Sequence, residues 1–261
     1  MKNTKIERSD SVQLDIAGSL DKFLHAADEM AGKAVQDDSF GLNFAREIDT
    51  FFREEVWSEG INIDPLPATL AINAYYSFMG ATRVALSGHL VAVFPIARQA
   101  LEYACYCYLM SKKPDLRDVW VSRHADKAAL KASRKAFGSA MDDCCKMLSH
   151  KHSDLSDWLK GLYQSTIDFG AHPNVRSVLP HIDIQDSGSH WKMNLICLYD
   201  KAHPKHQSGL VLAAEVGFVA STLIALSVPN HELTKDFARF EELRCKLAAF
   251  SSINEENQKS V

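Results

Sequence analysis

The sequence has few of the short motifs by which enzyme classes are recognised. It contains no G-x-x-x-x-G-K-[ST] phosphate-binding loop, no G-x-G-x-x-G dinucleotide fingerprint, no G-x-S-x-G nucleophile elbow and no H-E-x-x-H zinc motif. The sequence therefore gives no support to the common nucleotide-dependent and hydrolytic enzymes.

A strong charge imbalance is also absent. With 29 Lys and Arg against 33 Asp and Glu, the net charge is −4, so any affinity for nucleic acid or an anionic membrane would have to be local. The first residues, MKNTKIERSDSVQLD, lack the apolar core of a secretory signal, and the six cysteines lack the spacing of a disulfide framework. We therefore expect a cytoplasmic protein.

A metal site is not indicated either. Cys144, Cys145, His150 and His152 are the best candidates, but neighbouring side chains on a helix point about 100° apart, which does not suit a zinc ligand pair. No metal and no cofactor are expected.

One long apolar run is present, GLVLAAEVGFVASTLIALSV, from 209 to 228. Its length could span a bilayer, but Glu215 in its middle would be costly in lipid and no basic cluster flanks it. We expect a core helix and no membrane partner, with a membrane span as the alternative.

Elsewhere, apolar residues recur at steps of three and four, which predicts amphipathic helices. The first such stripe follows Ser11, a candidate N-cap, and the segment 68–94 is predicted to form one central helix. This segment carries a mostly small-residue seam: Ala71, Ala74, Phe78, Ala81, Ala85, Gly88 and Ala92. In contrast, PHIDI and WKMNLICLY alternate apolar and polar residues on either side of DSGS, which predicts a β-hairpin. The expected fold is one all-α domain over 1–261, a multi-helix bundle with one small β-hairpin inserted near residues 178–199. Residues 1–10 and 254–261 are expected to be disordered ends.

Arg98 and Glu102 are candidate catalytic residues because they share one face of an otherwise apolar helix. Two unpaired charges on a buried face would be costly, so we expect them to bond each other or a third polar group. They would form either a polar pocket between helices or a structural ion pair.

The stretch TIDFGAHPNVRSV supplies a candidate third partner. Gly170 can end a helix and Pro173 favours an extended backbone at His172, which makes His172 a candidate acid, base or hydrogen-bonding group. Asn174 and Arg176 are candidate binding residues beside it. The alternative is a turn whose side chains cap the preceding helix, and a functional role requires Arg98 and Glu102 to lie opposite His172.

A basic stripe is the candidate binding surface for phosphates. Arg123, Lys127, Lys131 and Arg134 would occupy one face if the segment 115–137 were a continuous helix. Aromatic residues for base stacking are not interleaved with them, so a solvated helix face is the alternative.

Three stretches resemble the HEPN-type helical proteins: ARQALEYACYCYLM, LRDVWVSRH and a helix ending in DFGAHPN. This group includes bacterial toxin and phage-defence ribonucleases, which carry an arginine, a polar residue directly after it and a histidine a few residues further on. Arg117, Asp118 and His124 fit that description, and on a continuous helix Arg117 and His124 would lie on one face, two turns apart. The resemblance implies RNA cleavage without metal, in which His124 or His172 moves the 2′-hydroxyl proton and Arg117 or Arg98 stabilises charge on phosphate.

Two hypotheses of function follow. The first is a HEPN-like interaction or scaffold module, homodimeric through the small-residue seam or the last helix. The second is a metal-independent ribonuclease, with RNA as the partner. The sequence does not identify a substrate.

Overall fold

A computed structural model describes residues 12–13, 19–58, 61–171, 173–186, 191–235 and 237–259. The helices are α1 (Leu20–Ala34), α2 (Phe40–Thr50), α3 (Pro65–Leu86), α4 (Leu90–Lys112), α5 (Leu116–Val121), α6 (Lys127–Phe137), α7 (Ala140–Ser149), α8 (Ser153–Thr166), α9 (Val175–Val178), α10 (Pro204–Ser227) and α11 (Ala238–Lys259). The strands are β1 (Val12–Gln13), β2 (Ile182–Asp186) and β3 (Trp191–Leu195). The predicted fold class, an all-α bundle with a small hairpin, is confirmed.

The hairpin is shorter than its sequence pattern. β2 pairs antiparallel with β3, with Ile182 opposite Leu195 and Asp186 opposite Trp191. The predicted alternation up to Tyr199 is wrong, because Tyr199 leaves the strand and is buried against His181. β1, which the sequence did not predict, pairs parallel with β3.

α10 lies at the centre of the fold, packed against α2, α3 and α4. By length and composition it is the one helix in the described part of the chain that could cross a membrane, and 83% of its most apolar window is buried. The small-residue seam of α3 is buried with it, since Ala71, Ala74 and Ala81 are each 0% exposed. The apolar run thus packs as a core helix within this chain.

The predicted single helix over 68–94 is wrong, because α3 ends at Leu86 and α4 begins at Leu90. Gly88 between them has φ +79°, a conformation that favours glycine. A Cβ on Gly88 would lie 2.3 Å from the carbonyl oxygen of Tyr199, whose amide donates to the Gly88 carbonyl at 2.9 Å. The break therefore accommodates a close backbone approach from the chain that follows the hairpin.

The ends of the chain differ from expectation in part. α1 begins at Leu20, where the Ser19 hydroxyl accepts from the Lys22 amide, rather than after Ser11. α11 continues to Lys259, so its last turns overlap the end 254–261 for which disorder is predicted. The other predicted disordered end, 1–10, lies outside the described residues.

Candidate functional site

Arg98 and Glu102 meet Tyr163 in a polar cluster that joins α4 to α8. Arg98 Nε donates to Glu102 Oε1 at 2.8 Å, and the Tyr163 hydroxyl donates to the same oxygen at 3.0 Å. The Arg98 guanidinium carbon also lies 5.1 Å from the centroid of the Tyr163 ring, within cation–π range. The pair thus bonds itself and a third polar group, as the sequence predicts.

The cluster lines a cleft of about 270 Å³ rather than a sealed core. The Arg98 and Glu102 side chains are 27% and 42% exposed. Tyr106 and the junction between α6 and α7, from Phe137 to Ala140, form other walls. The structure contains both features that the sequence left as alternatives: the ion pair forms, and the same two side chains line the cleft.

Arg98 and Tyr163, the two partners of Glu102, both have raised pKa values and stay protonated at neutral pH. Burial, followed by the charge and hydrogen bond of Glu102, raises the pKa of Tyr163 to about 12. Burial opposes the charge on Arg98, but the hydrogen bond to Glu102 and the neighbouring Tyr163 raise its pKa overall. Neither Arg98 nor Tyr163 is therefore available as a base at neutral pH.

Tyr163 is the member of this cluster that the sequence did not predict. It stands beside Leu159 and Leu162, which form the buried stripe of α8. A tyrosine at the edge of an apolar stripe places its ring against the core and its hydroxyl toward a polar partner. That local signal could have identified it, whereas its pairing with α4 could not be read from spacing.

His172 lies outside the described residues, so its predicted contact with the Arg98 cluster stays a prediction. Its described neighbours form a turn that side-chain hydrogen bonds and an ion pair stabilise. The Asn174 side chain caps α9, accepting from the amides of Arg176 at 2.8 Å and Ser177 at 3.1 Å, and Arg176 pairs with Asp168 at 3.1 Å. Asn174 and Arg176, predicted to bind a ligand, thus have structural partners. The Asn174 side chain caps the following helix α9, and toward the preceding helix its Nδ2 donates to the Ile167 carbonyl at 3.5 Å, so the stretch forms a turn while its binding role stays a prediction.

Gly170 in the same stretch lets the turn pack closely against α4, because it has no Cβ. A Cβ there would lie 2.5 Å from the Phe94 Cβ and 2.8 Å from the Val91 carbonyl oxygen. The π-helical turn Ile167–Ala171 therefore packs against α4 four residues before Arg98.

Arg117 and His124 do not share a helix face, and that part of the prediction is wrong. α5 stops at Val121, and His124 is exposed in the 3₁₀ turn Ser122–His124. Arg117 Nη1 pairs with Asp64 at 2.6 Å, and its Nε donates to the Met110 carbonyl at 3.2 Å. Arg117 thus ties α5 to the start of α3 and the end of α4.

The basic stripe is divided for the same reason. Asp126 is extended at φ −160° and caps α6, accepting from the Ala129 amide at 2.8 Å, so the predicted continuous helix over 115–137 is wrong. Arg123 therefore belongs to a separate turn, while Lys127 and Lys131 remain together on α6. Four exposed cations lie on α6: Lys127, Lys131, Arg134 and Lys135.

In the described ranges, no three His, Cys, Asp or Glu side chains converge as a metal site would require. Cys144 and Cys145, the best candidates from sequence, are buried in the core.

No protein-family model, curated protein or solved structure matches this chain. Function is therefore inferred from its own side chains. Two features stand out: the cleft at Arg98 and Glu102, and the basic helix α6, whose C-terminal residue Phe137 lines that cleft.

Proposed function

We propose that the chain is a cytoplasmic, HEPN-like helical interaction module that binds the acidic surface of a protein partner through α6. The observation that carries this proposal is the cluster of four exposed cations within residues 127–135, among which no acidic side chain occurs. In the part of the chain that the structure describes, no ion pair involves any of the four.

Several other surface cations have ion-pair partners within the chain. Lys33 pairs with Glu29 at 2.7 Å and Lys201 with Asp37 at 2.8 Å. Arg239 contacts three glutamates along α11 and its neighbours. Against this background, the clustered cations of α6 form a surface with free capacity for anions.

The geometry of α6 supports an extended anionic partner. Lys127, Lys131 and Arg134 are spaced at four and three residues, so they share one helix face, with about 6 Å of rise between the first two. The single aromatic residue of α6, Phe137, is buried, so bases would find no stacking platform there. A carboxylate-rich protein surface therefore suits α6 better than RNA does.

A second copy of the chain is one source of such a surface. Because α6 contributes four cations and no acidic residue to a chain of net charge −4, the rest of the chain has a net charge of −8. Parts of the two predicted dimer faces are packed inside the chain, since Ala74 of α3 and Leu243 of α11 are both 0% exposed. On this proposal, the predicted homodimer would use the cationic surface of α6 instead.

The test is binding of a labelled polyglutamate peptide, measured by fluorescence anisotropy beside a single-stranded RNA of equal length. The triple variant Lys127→Glu, Lys131→Glu, Arg134→Glu should weaken peptide binding at least about tenfold, since reversal turns each attraction into repulsion. The matched control, Lys33→Glu, Lys201→Glu, Lys235→Glu, makes the same change in net charge at cations that are paired.

Salt gives a second readout. Binding should weaken between about 50 and 200 mM salt, because exposed charge contacts are screened. Equal loss in the control triple, or no peptide binding at all, would contradict the proposal. Tighter binding of RNA than of peptide would replace the acidic protein with nucleic acid, and RNA cleavage in EDTA would restore the ribonuclease hypothesis.

A further inference from the structure

A cavity of about 590 Å³ opens between α8, α10 and α11, distinct from the cleft at Arg98. Small-molecule sites in proteins commonly measure about 300–1,000 Å³. Its residues come from the first turns of α8, the middle of α10 and the first half of α11. The cavity thus has the size of a ligand site rather than of a packing defect.

Four aromatic rings line one part of this cavity. The centroids of Trp158 and Phe218 lie 5.4 Å apart, those of Phe218 and Phe240 6.5 Å apart, and those of Phe240 and Phe237 5.1 Å apart. Leu247 adds an aliphatic side chain. Such a wall binds an apolar body and presents π faces to a cation.

One carboxylate stands among these rings. Glu215, the single charged residue of the central part of α10, lines the cavity, and its Oε1 accepts from the Trp158 indole N–H. Within the described ranges no ion pair engages Glu215 and no second hydrogen bond satisfies its Oε2. Burial raises the pKa of Glu215, which the Trp158 bond opposes. Ionised Glu215 therefore lacks a counterion.

The charges around the cavity mouth cancel one another. Lys151 and Arg244 are cationic, Asp154 and Glu241 are anionic, and Arg244 pairs with Glu241 at 2.6 Å. Burial and the charge of Lys151 lower the pKa of His152, which keeps that imidazole neutral at neutral pH. Among the described residues that line the cavity, Glu215 therefore carries the negative charge that no neighbouring cation offsets.

We propose that this cavity binds an organic monocation, an amine with an aromatic or alkyl body. The ammonium group donates to Glu215 and lies against the rings, while the apolar body fills the space between α8, α10 and α11. Glu215 is only partly buried, and its carboxylate gains from a cationic partner that the ligand supplies.

Two amines, tryptamine and decylamine, are the probes, each with its uncharged alcohol counterpart, tryptophol and decanol. Isothermal titration of the full chain at neutral pH should show binding of at least one amine, with an affinity at least about tenfold above that of its alcohol, because the charged donor meets a charged acceptor. Failure of both amines to bind, or equal affinity for amine and alcohol, overturns the proposal.

The variant Glu215→Gln locates the site. Glutamine keeps an acceptor for the Trp158 N–H and removes the charge, so it should weaken amine binding about tenfold and leave alcohol binding unchanged. The matched control Glu29→Gln removes one negative charge at an exposed ion pair of α1 and should change neither. A thermal melt confirms that each variant is folded, and retention of full amine affinity by folded Glu215→Gln also overturns the proposal.

Discussion

Replacement of Gly217 by alanine is expected to destabilise the protein, although alanine is the better helix former. A Cβ at position 217 would lie 2.5 Å from Cδ2 and 2.8 Å from Cε2 of the Phe78 ring. Phe78 is 3% exposed, so its ring cannot move into solvent. Alanine gains up to about 1 kcal/mol over glycine inside a helix, whereas overpacking a core costs about 1–3 kcal/mol. Subtracting the gain of about 1 kcal/mol from this cost leaves an expected net loss of up to about 2 kcal/mol in the free energy of unfolding.

Urea denaturation followed by circular dichroism measures this loss. The control is Gly161→Ala in α8, where an added Cβ meets nothing within 4 Å. That variant should gain about 0.5–1 kcal/mol from helix propensity alone. If both variants gained stability equally, α3 and α10 would not pack as closely as the structure has them, and the membrane-span alternative for residues 209–228 would return.

Three further outcomes follow from the same contacts. Tyr163→Phe should lower the free energy of unfolding by about 0.5–1.5 kcal/mol, because it removes a hydrogen-bond donor to the partly solvated Glu102. An unchanged stability in urea would show that this hydrogen bond does not stabilise the fold. The pKa of Glu215 in the folded chain is raised above the ordinary value of 4.5, so the wild type loses stability as the pH rises above 4.5 and this carboxyl must ionise. Glu215→Gln does not ionise and should therefore become more stable relative to the wild type over the same pH range. A difference in melting temperature that does not change with pH would contradict this reasoning. Arg117→Ala should lower the melting temperature and His124→Ala should not, and equal melts would show that Arg117 is not structural.

The fold could be predicted from the sequence wherever the determinants were local. The repeat of small residues in α3 and the alternation of β2 and β3 follow directly from the period of each element. The end of α3 could not be found in this way, since Gly88 breaks the helix to admit the backbone of Tyr199, which lies far along the chain. The N-cap at Asp126 could have been predicted, because an aspartate directly before a helical stretch is a typical N-cap residue.

The candidate site shows the same division. Arg98 and Glu102 are one helical turn apart, so their ion pair was predictable from spacing alone. Tyr163 joins them from another helix, and only the packing of α8 on α4 brings its hydroxyl to Glu102. The spacing between Arg117 and His124 would place both side chains on one helix face only if the helix continued through both residues. Because α5 ends at Val121, it does not. A short motif carries information only if the backbone between its residues is regular.

Glu215 shows how one residue can serve two inferences. In the sequence its charge counted against a membrane span, because a carboxylate is costly in lipid. That cost also applies in a protein core, yet α10 is buried along most of its length. The cavity beside Trp158 resolves the conflict, since it leaves one side of the helix open at the residue that needs a polar neighbour. Apolar side chains that filled this cavity would remove the polar surroundings of the carboxylate and raise the cost of its charge. The open space therefore makes a charged residue tolerable at this position.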